Sequence, residues 1–481
     1  MSWAEAKWTV DSLLQKIGTP PNNMRLFTAT TLTPTSVGLN FLEPEDSVIE
    51  GNIICSVYGV MIRMSTEGYP TSPTEGTLVI DNRDLGKYET EMFIIEGLKE
   101  ETDYYFTAFP YAHNGVYNTY NSKLNRADAT PGVRVFGIQR RLASTSSSWT
   151  RTDAAVGLTA RASVGTTAGS SDFDNLMPWA GIKRETLSTG DVMVKIPKFY
   201  YQRYRDEDDV EYIKIADGKK VGFKLHPVFN RGGVERDSVY VAAYKTTWGN
   251  KSVAGDTPQT GSVASVRSGV TAKGTGWGLI DMAAYSAIQM LILVEYATNN
   301  VQTMIGNGYT TSNNKALAVG TCDNVPNLTG TPTSSAQPDV VWRGIEGFWG
   351  NVWEIVDGVW FDNGHYRLTN DPSLYSEYDD DDYMTILNYT GTKGWESAYI
   401  EQVGLDIACD YVMLPEIAGS ASSSSYYCDT ARTGSDSKYY ILLHGGSWDS
   451  SSQAGLFAVR FDRADTDTSA WQGSRMMYIP S

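Results

Sequence analysis

Residues 444–448 read His-Gly-Gly-Ser-Trp, and residues 350–355 read Gly-Asn-Val-Trp-Glu-Ile. Paired glycines permit positive φ or a close approach of two backbones, and a tryptophan needs burial together with a partner for its indole N–H. These segments, with the Gly-Ser-Arg of residues 473–475, therefore predict the framework of a folded domain. The predicted framework residues are Gly350, Asn351, Trp353, Gly445, Gly446, Ser447, Trp448, Gly473 and Arg475.

The chain around these segments, from residue 133 to residue 481, is rich in glycine, serine and tryptophan and shows neither a repeat nor a linker. One helix is predicted from Asp281, as the N-cap, through Glu295. Its nearly continuous apolar sequence indicates burial on most sides. We therefore predict one large α+β domain over residues 133–481, in which loops outweigh strands and helices.

The framework segments resemble the C-type lectin fold, in the branch shared by formylglycine-generating enzymes and the variable proteins of diversity-generating retroelements. The resemblance depends chiefly on residues 340–361 and 441–477. It implies an α+β C-type lectin domain with a variable segment at about residues 420–475. The chain also resembles phage-encoded members of the group at residues 172–174, 193–200 and 294–297.

Residues 419–452 contain eleven serines, four glycines and four tyrosines, which together make over half of the segment. Antibody binding surfaces favour the same mixture, because tyrosine supplies rigid amphipathic area while serine and glycine adapt their hydrogen bonds. A plain flexible loop is the alternative interpretation. The position of the segment, between Leu414-Pro415 and the Gly445-Gly446 turn, favours a binding surface.

The resemblance also implies which residues vary, because variable proteins of this group change a C-terminal stretch and keep Gly-Gly-Ser-Trp, Ala-Gly-Leu-Phe and Gly-x-Arg. Residues 454–457 and 473–475 match the last two. Alternation along a strand here predicts that Ala458, Arg460 and Asp462 share one exposed side. The predicted variable, ligand-binding positions are Tyr426, Tyr427, Asp429, Asp449, Ser450, Ser452, Ala458, Arg460, Asp462, Arg463, Asp465 and Trp471.

The chain is not predicted to be an enzyme. Formylglycine-generating oxidases resemble one another in a pair of cysteines between the Gly-Gly-Ser turn and the Gly-x-Arg, and residues 447–475 contain no cysteine. Cys409 and Cys428 lie upstream, and a free cysteine is more often a small buried hydrophobe than a nucleophile. A glycan hydrolase with paired carboxylates stays open, because sequence does not give the distance between two carboxylates.

Residues 1–20 are predicted to form an N-terminal amphipathic helix. Ser2 and Glu5 have the spacing of a capping box, and apolar residues recur at helical spacing from Trp3 to Ile17. Such a helix either packs on its own chain or mediates self-association or docking on a larger assembly. It is the predicted contact with other virion proteins and the basis of a predicted homo-oligomer.

Residues 21–132 are predicted to form a small all-β sandwich. Alternation between Val37 and Phe41 is repeated in later segments that turn-rich breaks separate. Leu98 lies six residues before Tyr104, which resembles the tyrosine corner of a fibronectin type III or Ig-like domain, where the phenol bonds to nearby backbone. Phe41 departs from that family, in which the second strand commonly carries tryptophan.

Composition excludes several classes of partner. The formal net charge of −17 repels phosphate backbones and anionic membranes, so no nucleic acid is predicted. Neither a signal pattern nor a spanning segment is present, so Sec export and membrane insertion are not predicted. Dispersed histidines and cysteines predict no cofactor and no metal site. The run Asp379–Asp382 is the one candidate for structural Ca²⁺, and a solvated acidic loop is its alternative.

These features together predict a non-catalytic ligand-binding protein of a phage tail or fibre, with a hypervariable face that recognises a bacterial surface protein or glycan. The sandwich would act as a spacer, and the predicted location is the virion. Three alternatives stay open. They are a variable binding protein displayed on a cell surface by a non-Sec route, a structural virion decoration protein, and a formylglycine-generating or glycan-cleaving enzyme.

Overall fold

The chain divides into two compact units. The smaller unit holds residues up to 134 together with residues 218–223, and the larger unit holds residues 135–217 and 224–481. The predicted helix over residues 2–17 and the acidic residues Asp379–Asp381 lie outside the described residues. The computed structural model describes residues 18–49, 51–312, 315–333, 338–375, 382–391, 394–434 and 439–480.

The described part of the smaller unit contains nine strands and one short helix, α1 (Lys87–Thr90). Its strands are β1 Leu26–Thr33, β2 Ser36–Leu42, β3 Ser47–Ile49, β4 Asn52–Cys55, β5 Val57–Ser65, β6 Thr77–Asn82, β7 Phe93–Ile95, β8 Tyr104–Ala112 and β9 Arg126–Ala129. One sheet has the order β1-β2-β7 and a second the order β6-β5-β8-β9, while β3 and β4 pair separately. Val37 and Phe41 of β2 share one apolar core with Val60 of β5 and Phe106 of β8, so the two main sheets are held together by a common core.

Tyr104 closes the turn that precedes β8. Its hydroxyl accepts a hydrogen bond from the N–H of Lys99 at 2.9 Å, and Leu98 is buried in the core of the same unit. The bond between this phenol and nearby backbone, which the resemblance to a tyrosine corner implies, is therefore present.

The larger unit contains many short strands and three helices within its described residues. The helices are α2 Val263–Thr271, α3 Met282–Tyr296 and α4 Gln302–Ile305. The strands of its first half are β10 Val135–Arg141, β11 Thr150–Asp153, β12 Ala160–Arg161, β13 Ser163–Val164, β14 Ser170–Ser171, β15 Lys183–Thr186, β16 Val192–Pro197, β17 Tyr200–Arg205, β18 Val210–Ala216, β19 Lys224–Leu225, β20 Asn230–Arg231, β21 Val234–Glu235, β22 Ser238–Ala242 and β23 Trp277–Leu279. Those of its second half are β24 Gly330–Thr331, β25 Val341–Trp342, β26 Ile345–Glu346, β27 Trp353–Asp362, β28 His365–Leu368, β29 Met384–Asn388, β30 Gly394–Val403, β31 Pro415–Ala418, β32 Thr430–Thr433, β33 Tyr439–His444, β34 Val459–Phe461, β35 Gln472–Ser474 and β36 Met476–Tyr478.

Three sheets carry most of the larger unit. Two have five strands, in the orders β11-β10-β18-β17-β19 and β15-β16-β22-β36-β23. The third has nine strands, in the order β29-β28-β27-β33-β34-β32-β30-β31 with β35 paired to β27. This sheet curls until it is nearly closed, and the N–H of Thr390, just after β29, donates to the carbonyl of Glu416 in β31 at 2.8 Å.

Helix α3 occupies the interior of the larger unit. Asp281 caps it by accepting a hydrogen bond from the N–H of Ala284, and all fifteen residues from Met282 to Tyr296 are buried. The predicted helix and its burial are therefore confirmed. A helix that is apolar on all sides needs neighbours on all sides, so the sheets surround it.

The predicted α+β C-type lectin class for residues 133–481 is wrong, and the predicted fold class that includes it is therefore wrong as well. The described residues are 39% strand and 13% helix, and only one of their four α-helices exceeds nine residues. Strands such as β27, which has nine consecutive buried residues, lack the alternation that marks a half-buried strand. Sequence patterns therefore understated the strand content.

No helix among the described residues combines the length and apolarity needed to cross a lipid bilayer. In the same residues, no three or more histidine, cysteine, aspartate or glutamate side chains are grouped as metal ligands. Asp382 is the described member of the acidic run.

Candidate functional site

The two framework segments lie side by side in the nine-stranded sheet. Strands β27 and β33 pair antiparallel, which puts Glu354 opposite His444. Gly445, the next residue, has φ +90°, and a Cβ there would lie 2.8 Å from the carbonyl oxygen of Phe348. Glycine is therefore required where the chain leaves β33 and begins the turn of residues 445–454.

Glu354 is the centre of a charged network beneath this turn. Its Oε1 accepts from Nζ of Lys245 and from Nη2 of Arg475, each at 2.6 Å, and its Oε2 lies 3.2 Å from Nε2 of His444. All four side chains are buried. Burial alone would raise the pKa of Glu354, but Arg475 and Lys245 hold it well below its usual value. The network ties β27, β33 and the C-terminal Gly-x-Arg together.

A polar pocket opens beside the turn and encloses about 220 Å³. Hydroxyl, amide, guanidinium and indole groups provide its lining. It is therefore equipped with hydrogen-bonding groups as well as two aromatic rings. The lining residues are Trp353, Ser397, Thr430, Arg432, Ser447, Asp449, Ser450, Gln453, Val459, Arg460 and Trp471.

Arg460 is held in the pocket wall by two aromatic rings and one carboxylate. Its guanidinium carbon lies 4.4 Å from the ring centre of Trp471 and 5.4 Å from that of Trp353. Its Nε and Nη2 donate to the two carboxylate oxygens of Asp462, each at 2.7 Å. A bidentate pair and cation–π contacts fix the plane of a guanidinium, so this part of the wall is preorganised.

Arg432 lies directly beside Arg460, because β32 and β34 pair in parallel with these two residues in register. Its Nε is 2.7 Å from Oδ2 of Asp462, but the N–H is not aligned for a hydrogen bond. The Asp462 carboxylate has no exposure to solvent. One buried carboxylate therefore serves two guanidinium groups.

A second polar pocket uses the following residues of the same turn and encloses about 260 Å³. Ser451 and Ser452, in a short 3₁₀ helix, contribute to it, and the hydroxyl of Ser452 lies 3.0 Å from that of Tyr399. The turn of residues 445–454 thus contributes neighbouring side chains to two pockets. The lining residues are Asn300, Gln302, Thr303, Asn307, Thr310, Thr311, Ser423, Cys428, Ser451, Ser452 and Ala454.

The twelve predicted variable positions fall into four groups according to their location. The members that line the first pocket are Asp449, Ser450, Arg460 and Trp471. Ser452 lines the second pocket. The half-buried members outside both linings are Tyr426, Arg463 and Asp465. The members buried without lining either pocket are Tyr427, Asp429, Ala458 and Asp462.

The exposed side predicted for Ala458, Arg460 and Asp462 is not present. Their exposed fractions are 0%, 7% and 1%. Strand β34 lies between β33 and β32 inside the nine-stranded sheet, and all three of its residues are buried. Because neither side of the strand faces solvent, alternation does not create an exposed face there, and only Arg460 of these three reaches a pocket.

Asp429 is buried and bonds to two other segments of the chain. Its Oδ2 accepts from the N–H of Phe457 at 2.7 Å, and its Oδ1 accepts from Nε2 of Gln302. Burial raises the pKa of Asp429 to about 8. The side chain joins the start of β32 to the segment that precedes β34, which explains why it lies inside the protein and not on a binding face.

Sequence reasoning missed Arg432, Ser397 and Thr430, all of which line the first pocket. Arg432 stands in a four-residue strand with no family motif around it. Its importance depends on parallel pairing with β34, which follows much later in the chain, and local spacing carries no signal for that pairing.

The predicted framework residues share one property in the structure. All nine are buried, and Asn351, at φ +63°, bonds the backbone of Leu317 with both atoms of its amide at 3.0 Å. Two of them, Trp353 and Ser447, also line the first pocket.

The four cysteines are buried and unpaired. Burial raises the pKa of Cys409 to about 12 and that of Cys428 to about 11. The thiolate is the nucleophilic form of cysteine, and burial disfavours that form at both residues.

Comparisons with known proteins do not assign a family. No family model matches the chain, and a search of curated proteins finds no similar sequence. Among solved structures, the chain is similar to one named Major Tropism Determinant U1 Variant, at 11% identity over 94% of this chain and 82% of that chain, with a TM-score of 0.19. A TM-score this low does not support a functional assignment. Function is therefore inferred from the two pockets and the framework beneath them.

Proposed function

We propose that this protein is a non-catalytic ligand-binding protein, and that the first pocket recognises a ligand on a bacterial surface. The observation that carries the proposal is the fixed arrangement of Arg460 between Trp471 and Trp353 in a pocket lined by hydroxyl and amide groups. A few placed polar groups beside aromatic faces are typical of ligand sites. Preorganisation of those groups reduces the entropy lost on binding.

The burial of the charged network beneath exposed residues of the turn supports this proposal. The Glu354 network lies beneath the turn and is buried, whereas Asp449 and Ser452 in the turn are exposed. Changes at these exposed positions would alter the contact surface while leaving the charged network intact. A binding protein whose specificity changes needs such a division.

A binding role is favoured over the two enzyme alternatives by the chemistry of the site. The cysteines with raised pKa values are poor candidates for formylglycine-generating chemistry. Glycan cleavage uses two carboxyl groups on either side of the scissile bond. Among the residues that line the first pocket, Asp449 supplies the one carboxylate.

The proposed location is a phage virion, with the C-terminal pocket directed at the host. The sequence resemblance to phage-encoded variable proteins supports this location. The name Major Tropism Determinant belongs to a structure whose likeness to this chain is too low to add weight. Display on a bacterial surface and decoration of a virion are the alternatives to be distinguished.

The proposal is tested by measuring binding of the fluorescently labelled full chain to a panel of bacterial strains. Trp471→Ala removes an aromatic wall of the pocket, and we expect at least about a tenfold loss of affinity, because aromatic hot spots in interfaces cost more than about 1.4 kcal/mol when truncated. Trp248→Ala is the matched control, since Trp248 is 59% exposed and lines neither pocket. Equal binding by both variants, or no binding by the wild type to any strain, would contradict the proposal, and the latter result would favour a decoration protein.

Location is tested separately by immunogold labelling with an antibody against the full chain. Labelling at the tails of virions from the source population supports the phage assignment. Labelling of intact cells that release no virions would support surface display instead.

A further inference from the structure

The first pocket carries more positive than negative charge, although the chain as a whole is acidic. Three guanidinium groups cluster at it, those of Arg432, Arg460 and Arg463, because Arg463 stacks on Trp471 with its guanidinium carbon 5.0 Å from the ring centre. Asp462, within the protein, pairs with Arg432 and Arg460, and Asp449 is the carboxylate of the pocket lining. The formal net charge of the full chain is −17, so this local excess runs against the composition.

The hydrogen-bonding capacity of Asp462 is already used. Arg460 occupies both of its oxygens, and Arg432 reaches Oδ2 through an ion pair that lacks hydrogen-bond alignment. Within the part of the chain that the structure describes, the terminal nitrogens of Arg432 have no acceptor. The side chain of Arg432 is 31% exposed and lines the pocket, so these donors are accessible to a ligand.

Electrostatics around Arg432 favour an added anion. Burial lowers the pKa of Arg432, and the neighbouring guanidinium groups of Arg460 and Arg463 lower it further, against the opposing effect of Asp462. Arginine nevertheless stays charged in proteins. A ligand oxyanion placed beside Arg432 would relieve this repulsion and satisfy its free N–H groups.

We infer that the first pocket binds a carbohydrate that carries an oxyanion, either a carboxylate or a phosphate, with Arg432 as the principal anion contact. This inference rests on the proposed binding function. Hydroxyl groups of Ser397 and Ser450 stand in the same lining and match the hydroxyls of a sugar, while the tryptophan rings match the apolar face of a pyranose. An acidic peptide would pair with the guanidinium groups, but it would not present a matching set of hydroxyl groups to these donors.

The test uses the full chain and four kinds of polymer-coated bead. Polygalacturonate presents carboxylates, lipoteichoic acid presents phosphates, dextran is a neutral glycan, and polyglutamate is an acidic peptide. We expect binding to polygalacturonate or to lipoteichoic acid that exceeds binding to dextran and polyglutamate by at least about tenfold, and that weakens between 50 and 300 mM NaCl, values chosen to vary the screening of charge. Preference for one of the two acidic glycans identifies the source of the oxyanion.

Three substitutions complete the test. Arg432→Gln and Arg463→Gln should each lower affinity for the bound acidic glycan, Arg432→Gln by about tenfold or more, as expected for a hydrogen bond to a charged group. Arg161→Gln is the control, because Arg161 is exposed and lines neither pocket. Thermal unfolding confirms that each variant is folded, and the two pocket variants provide independent readings if one is not.

Binding to dextran or polyglutamate at the level of the acidic glycans would overturn the inference, as would unchanged affinity in both pocket variants. The same holds if no acidic glycan binds. Failure of the inference is distinguishable from failure of the proposed function, because the latter is scored by the loss of binding to bacterial cells in Trp471→Ala. A chain that binds cells through Trp471 but ignores the charge of Arg432 recognises a neutral or protein ligand.

Discussion

The carboxylate of Glu354 lies 2.6 Å from Nη2 of Arg475, and neither side chain is exposed to solvent. Arg475 also donates to the carbonyl oxygens of Ala242 and Glu346, at 2.8 and 2.7 Å. The guanidinium therefore connects β22, β26 and β27 around one buried charge. This connection explains why the last framework segment, Gly-x-Arg, carries an arginine at residue 475.

Arg475→Met should lower the free energy of unfolding of the larger unit by about 3 kcal/mol or more, because removal of one partner from a buried ion pair leaves the other charge uncompensated. Urea denaturation followed by tryptophan fluorescence measures this change. Lys198→Met is the control, since Lys198 pairs with Glu235 at 2.7 Å in a partly exposed position, and such pairs contribute below about 1 kcal/mol. A similar loss in both variants would argue against a special role for Arg475.

Asp429 should make stability depend on pH. Its folded-state pKa is raised to about 8 from the ordinary aspartate value of 3.8, so between these values the folded protein binds more protons than the unfolded chain. The contribution of Asp429 to stability is therefore fully present below about pH 4 and is lost as pH rises to about 8, with a slope of at most about 1.4 kcal/mol per pH unit for one proton.

The measurement that isolates this contribution compares the wild type with Asp429→Asn by denaturant unfolding at pH 5, 6, 7 and 8, points within the interval between the two pKa values. Asparagine retains an acceptor for the N–H of Phe457 and does not titrate. The stability difference, wild type minus variant, should fall steadily across this range. A difference that stays constant would show that Asp429 does not titrate there.

Gly446→Ala should disturb the turn and weaken ligand binding. Gly446 has φ +91°, and a Cβ there would lie 2.5 Å from the Cβ of Ala454, so the segment that carries Asp449 and Ser450 must shift. We expect a stability loss of about 1–3 kcal/mol from backbone strain, together with reduced affinity for bacterial cells. Gly255→Ala is the control: Gly255 has φ +97° with open space around its Cβ position, and its replacement should reduce stability without reducing affinity.

Natural sequence variation should follow the pockets and not the full set of twelve positions. Deep sequencing of codons 415–481 in the source population should find substitutions at Asp449, Ser450, Ser452 and Trp471, which line the pockets. Asp429 should stay constant, because it holds backbone inside the protein. A near-copy of the same stretch in adjacent DNA should carry adenines at the varying codons. A uniform population with no such copy would favour a fixed-specificity or structural protein.

The sequence predicted local features of the fold well where one segment was enough. Asp281 and the apolar run after it predicted α3, and the resemblance of the Leu98–Tyr104 segment to a tyrosine corner implied a bond from the phenol to backbone. It did not predict the strand-rich class of the larger unit, because strands such as β27 are covered on both sides and show no alternation.

The candidate site was predictable in part for the same reason. Asp449 and Ser450 follow the Gly-Gly-Ser-Trp turn directly, so their position near the surface could be inferred from that turn. Asp429 was misplaced because its burial depends on contacts with Gln302 and Phe457, which come from other segments. Arg432 was missed because only the parallel pairing of β32 with β34 brings it to Arg460.

Strand β36 lies between β22 and β23, which means that a central strand of this sheet comes from residues that follow the whole segment predicted to vary. During synthesis, β22 and β23 wait without their shared partner until the ribosome has delivered Met476–Tyr478. A premature stop codon within residues 426–471 would leave both strands with unpaired edges, and cellular proteases remove such unfinished chains. A chain can therefore complete this sheet only after residues 426–471 have been translated in full.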